Sequence, residues 1–91
     1  MRKKKWRAEL SKDVVKYLKK LDKKTEQRIF DRLKEMEKTE NPALHKDVRP
    51  LTGRLRGFYR LRIAHLRLIF ELDVKKKRIG VHIILPRLNA Y

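Results

Sequence analysis

At Phe58 the spacing of apolar residues changes from about one in every 3.6 positions to every second position, and it stays there to the last strand-like segment. The first period marks a helix with one buried stripe, the second a strand with one buried face. Helices therefore lie N-terminal and a sheet C-terminal. That segregation predicts an α+β fold with the helices on one face of the sheet.

The segment "KWRAEL" reads as a short N-terminal strand. "SKDVVKYLKKLD" follows, with Ser11 as N-cap, Asp13 in the first turn, and Val14, Leu18 and Leu21 spaced i, i+4, i+7. A second helix starts between Asp22 and Thr25 and runs through "EQRIFDRLKEMEKTE" on a stripe of Ile29, Leu33 and Met36. It stops at Asn41-Pro42, because proline disfavours helical geometry in the residue before it. So short a link predicts an antiparallel helix pair. Residues 41–57 hold two of the three prolines and two of the three glycines, and read as a connection to a new layer.

Beyond it, "FYRLRI", "LRLIFEL" and "RIGVHIIL" predict a three-stranded antiparallel meander. Tyr59, Leu61 and Ile63 share one face with Leu66, Leu68, Phe70 and Leu72, and Phe58, Arg60 and Arg62 share the other with Arg67, Ile69 and Glu71. In the third strand, Ile79, Val81, Ile83 and Leu85 fall on one face and Gly80, His82 and Ile84 on the other.

The hairpin poses an electrostatic problem. A two-residue turn at Ala64-His65, or a four-residue turn over residues 63–66, sets Arg62 opposite Arg67, with Arg60 about 7 Å away on the same face. Facing like charges are destabilising. Arginine presents a fixed fork of donors suited to phosphate and keeps its charge at neutral pH, so the cluster can serve as a phosphate clamp. The same alternation also fits an open sheet face whose arginines are solvated or paired with Glu71 and Asp73.

The chain's charge gives that choice weight. Among 91 residues, 27 Lys and Arg against 11 Asp and Glu leave a net charge of +16, an excess of one sign that suits a polyanionic partner. A single domain over residues 1–91 is expected, burying roughly 60–65% of its unfolded surface, which favours an exposed or concave working surface over a deep cavity. The lack of cysteine excludes disulfides and thiolate chemistry. With no signal-peptide core and no apolar run of ~18 residues, a soluble cytoplasmic protein with no membrane partner is expected.

Further candidates lie outside the hairpin. Arg87 and Tyr91 follow the last strand, where a cation and an aromatic suit a phosphate contact and a base stack. Of the histidines, His82 sits on the third strand, His65 in a turn and His45 in a loop. None shows a recognisable carboxylate partner and no pair has metal-ligand spacing. His82 is a candidate for proton transfer. No glycine-rich phosphate loop or paired-carboxylate motif is present.

Taken together, "RPLTGRLRGFYRLRIAHLRLIFELD" and "VHIILPRLNAY" resemble the RelE/ParE toxin superfamily, and its RelE-like branch in particular. The shared features are a Leu-x-Gly, an arginine-rich hairpin, and a last strand ending in Arg and then Tyr. The resemblance implies the toxin of a toxin-antitoxin system, an endoribonuclease that cuts messenger RNA in the ribosomal A site without metal or cofactor. The 2′-hydroxyl would attack its own 3′-phosphate, leaving a 2′,3′-cyclic phosphate and a 5′-hydroxyl. By the same resemblance Arg67 and Arg87 would stabilise the phosphorane, Arg60 and Arg62 would hold phosphates, and Tyr91 would stack on a base or orient the attacking hydroxyl. The implied partners are a cognate antitoxin, the ribosome and mRNA.

The chain departs from the family pattern in two places. Ala64, His65 and Leu66 stand where relatives commonly have Gly-Asp-Tyr, and arginines stand where some members have lysines. Arginine is a poor general base, so the base is unassigned. Two other readings remain open: a ParE-like inhibitor of DNA gyrase, and an RNA-binding module without catalysis.

Overall fold

The computed structural model describes residues 5–86. Their order is β1 (Arg7–Leu10), α1 (Lys12–Lys20), α2 (Lys23–Lys38), β2 (Val48–Pro50), β3 (Phe58–Ile63), β4 (Leu66–Asp73) and β5 (Arg78–Pro86). The strands form one five-stranded sheet in the order β1-β5-β4-β3-β2. Strands β2 to β5 pair antiparallel with their neighbours, and β1 runs parallel to β5. This is the expected α+β plan with one strand added.

The added strand, β2, lies in the segment expected to be a connection. It has three residues and includes Pro50, which lacks an amide proton and is tolerated because β2 is a sheet edge. Flanking backbone bonds hold it: Leu51 N donates to Phe58 O (2.9 Å) and Arg62 N to Asp47 O (3.1 Å).

Both helices start at a side-chain cap. Ser11 Oγ accepts from Val14 N (3.2 Å) and donates to His82 O (2.8 Å), which ties the start of α1 to β5. Asp22 accepts from Thr25 N (3.1 Å) at the start of α2. Those bonds to Thr25 hold the Asp22 carboxyl below its ordinary value of 3.8. A depressed folded value means that the cap's contribution is complete above 3.8 and is lost as pH falls through the lower folded value. Asp22→Asn keeps a capping oxygen that does not titrate, so its urea midpoint is expected to fall less steeply below pH 4 than that of the parent.

Val14 and Leu18 of α1 and Ile29, Leu33 and Met36 of α2 pack on Leu61, Leu68, Phe70, Ile79 and Val81 of the sheet. In β5 the expected alternation breaks. Ile69 pairs with Ile83 but Phe70 pairs with Val81, so His82 is an extra residue in a β-bulge. The bulge reverses the faces beyond it. Ile84 enters the core, while Ile83 pairs with Ile69 and Leu85 with Arg67, both on the face away from the helices.

Glu37, near the end of α2, is the one buried charged residue among those described. Its carboxylate accepts from Ala8 N (2.8 Å), and its carbonyl accepts from Lys5 N (2.8 Å) and Trp6 N (2.9 Å). Glu37 thereby fixes the approach to β1. Glu37→Ala leaves the half-buried Ala8 amide without that acceptor, and is expected to lower stability by about 1–3 kcal/mol in urea unfolding.

Candidate functional site

The helix-free face of the sheet can be laid out in rows from the strand registers. One row is Arg62 opposite Arg67, with Leu85 beyond it. The next is Arg49, Arg60, Ile69 and Ile83 across β2, β3, β4 and β5. A third is Phe58, Glu71, Gly80 and Glu9. The expected pairing of Arg62 with Arg67 is therefore present, with Arg60 one row away on the same face.

The turn that sets this register has the backbone its sequence resists. Ala64 has φ +53°, and His65 is not among the described residues with positive φ. A positive φ at the first central position alone is the pattern of a type II′ turn, which favours glycine there. The rigid strand pairs on either side hold alanine in that conformation.

Because β2 exists, a fourth arginine joins the face. Arg49 lies directly opposite Arg60, and its Nη1 donates to Val48 O (2.9 Å) and Lys46 O (3.1 Å). Lys46, Asp47, Arg49, Arg60 and Arg62 line a concavity of about 300 Å³. With one carboxylate among four cations, it suits a phosphodiester backbone better than a neutral ligand. Arg67 is half-buried and Arg62 exposed, so the hairpin offers one partly enclosed arginine and one open to solvent.

Two histidines do have carboxylate partners. His82 Nε2 lies 2.5 Å from Glu71 Oε2, and the Phe58 ring meets the imidazole edge-on with centroids 5.4 Å apart. The bulge carries His82 toward Glu71, a register that alternation along one strand does not disclose. The doublet Ile83-Ile84 was the available signal, since two consecutive apolar residues cannot both obey a period of 2. His45 lies 3.2 Å from Glu35 through Nε2, while its Nδ1 accepts from Asp47 N (3.1 Å). It shapes the approach to β2, whereas His65 is exposed in the β3–β4 turn.

Arg87 and Tyr91 lie outside the described residues. Among the described residues, no group of three or more His, Cys, Asp and Glu is placed to hold a metal ion. Among them also, no helix is long and apolar enough to cross a membrane.

A family model described as the ParE toxin of type II toxin-antitoxin systems, parDE, matches residues 8–91. Among solved structures, the archaeal RelE–RelB complex from Pyrococcus horikoshii OT3 has a chain 30% identical to this one, with a TM-score of 0.79, 94% of this chain and 99% of that one being covered. A chain of the YoeB–YefM complex from Staphylococcus aureus is 26% identical with a TM-score of 0.68, covering 87% and 93%. A chain of the RelB–RelE antitoxin-toxin complex from Methanococcus jannaschii shares the fold at 23% identity with a TM-score of 0.70, covering 90% and 93%. No curated protein sequence matches the chain.

Proposed function

The chain belongs to the RelE/ParE family of toxins from type II toxin-antitoxin systems, and from that premise we propose that it cleaves messenger RNA on the ribosome. The observation that carries this reading is the register that sets Arg62 against Arg67 beside Arg60 and Arg49. Like charges gathered on one face repel, and an anion placed among them offsets that repulsion.

In the proposed reaction the 2′-oxygen of one nucleotide forms a bond to its own 3′-phosphorus and the bond to the 5′-oxygen of the next nucleotide breaks. Arg60 and Arg62 hold the flanking phosphates, and Arg67 faces the charge that grows on the phosphorane. Arg87 and Tyr91 keep the phosphorane-stabilising and base-stacking roles that the family pattern implies. His82 moves the proton, with Glu71 orienting its ring, and so fills the role that the arginines cannot. It lies between the Glu71 and Ile69 rows, so roughly 7–13 Å of strand separates it from the Arg62–Arg67 row. Long arginine side chains and a bound phosphate can bridge that span. Ribosome and message supply the substrate conformation, and no metal or cofactor takes part. The protein acts in the cytoplasm, held inactive by a cognate antitoxin whose acidic and apolar segments cover the basic surface.

The family description names ParE, and a gyrase inhibitor on the same fold is the competing reading. Purified protein added in parallel to a reconstituted translation reaction and to a gyrase supercoiling assay separates them. Translation should stop while supercoiling proceeds. The opposite pattern would replace cleavage with gyrase inhibition, and binding without either effect would leave an RNA-binding module.

A further inference from the structure

Two lysine-rich stretches far apart in the chain meet at one end of the sheet. Because β1 runs parallel to β5 from the pair Arg7–Arg78, the segment entering β1 lies beside the β4–β5 turn. Lys5 and Arg7 thereby join Lys75, Lys76, Lys77 and Arg78. Lys5, Arg7, Lys76, Lys77 and Arg78 line a concavity of about 510 Å³ beside Trp6, with Glu9 the one carboxylate at its border.

This patch is built rather than merely charged. Lys76 N donates to Asp73 Oδ1 (3.1 Å), which closes the turn. Lys77 has φ +54°, a conformation that glycine or asparagine adopts at less cost. There its carbonyl accepts from Arg7 N (2.8 Å), and its ammonium lies 4.9 Å from the centroid of the buried Trp6 ring. The turn thus keeps a lysine in a backbone conformation that glycine or asparagine adopts more easily, with its side chain laid over Trp6.

The patch is also separate from the arginine face. Asp73 lies six positions from Arg67 along β4, roughly 20 Å at strand rise. Between them runs the row with Glu9 and Glu71, two carboxylates that interrupt any continuous cationic track. Local carboxylates offset only part of the patch: Arg78 lies 3.5 Å from Glu9 and 3.8 Å from Asp73, and Lys5 pairs with Glu40. Lys75 and Lys76 are exposed.

We propose that the junction of β1 with the β4–β5 turn is a second RNA-backbone site, gripping a stretch of phosphodiester distinct from the one at the arginine hairpin. Flexible lysines around a shallow concavity suit contacts that position RNA without reading its sequence. The site does not depend on cleavage, because it predicts binding alone.

The test is the salt dependence of binding to a 20-nucleotide single-stranded RNA, measured by fluorescence anisotropy. For single strands each neutralised phosphate contributes about 0.7 to the slope of log affinity against log salt. Arg7→Gln with Lys75→Gln and Lys76→Gln should make the slope shallower by about 2, both in the parent and in an Arg60→Gln, Arg62→Gln background. Replacing Lys75 and Lys76 by arginine should keep the parent slope, and the unfolding midpoint of each variant checks its fold. A control with Lys16, Lys20 and Lys24 changed to glutamine removes the same charge from the helical layer. Equal losses in the control and the turn variant would overturn the site in favour of diffuse attraction. An unchanged slope in the turn variant would overturn it outright, and weakened binding of an acidic protein with RNA binding intact would assign the patch to that protein instead. An intact ribosome-bound message with the parent protein, alongside a retained turn effect on the slope, would mark failure of the proposed function while leaving this site standing.

Discussion

Arg67→Ala is expected to slow cleavage of a ribosome-bound message by about 10²–10³-fold, the usual cost of removing one preorganised donor from a developing oxyanion. Three features of Arg67's setting support that proposed role. It is half-buried, it lies opposite Arg62, and Leu85 flanks it from β5. Its guanidinium is therefore held where an exposed arginine would sample many positions, and a held charge need not reorganise as the phosphorane forms. Arg62→Ala removes a mobile cation from the same row, so its main effect should be on binding of the message. Single-turnover rates at saturating ribosome complex, set beside the concentration dependence, distinguish the two. A large rate loss for Arg62 with none for Arg67 would reverse the assignment.

The second large effect concerns proton transfer. His82→Ala is expected to reduce the cleavage rate by about 10²-fold or more, within the range for losing a positioned acid or base. The side chain is exposed, so its removal opens space that a small molecule can enter. Added imidazole should then restore part of the rate in His82→Ala and none in Arg67→Ala. Glu71→Gln keeps a hydrogen-bonding group within reach of Nε2 but removes the charge, and should give a smaller loss. Full activity in His82→Ala would remove the imidazole from the reaction and leave its contacts with Glu71 and Phe58 a purely structural role.

The helices and the hairpin were legible because each obeys one period for its full length and has a chemical marker at its boundary. Ser11 and Asp22 cap helices whose stripes recur at 3.6, and the pairing of Arg62 with Arg67 follows from either turn length. β2 was not legible, since a three-residue strand has no measurable period and Pro50 argues against one. Missing β2 also hid Arg49, which reaches the site only through pairing with Arg60. The Glu71–His82 pair was hidden for a different reason. It depends on an extra residue in β5, and a bulge is a relation between two strands that neither records alone. The role of Glu37 has no local signal either, because its partner amide lies 29 residues earlier.

Cleavage of RNA by the arginine face, as against mere binding of RNA or gyrase, is decided by the fate of the message. The most direct measurement is to add purified protein to ribosomes stalled on a defined message, then to map the new message ends and identify their chemistry. A cut at the A-site codon is predicted that requires the ribosome, leaves a 2′,3′-cyclic phosphate upstream and a 5′-hydroxyl downstream, and disappears when Arg67 and Arg87 are both changed to alanine. An intact message at concentrations where the protein is bound to the ribosome would contradict it.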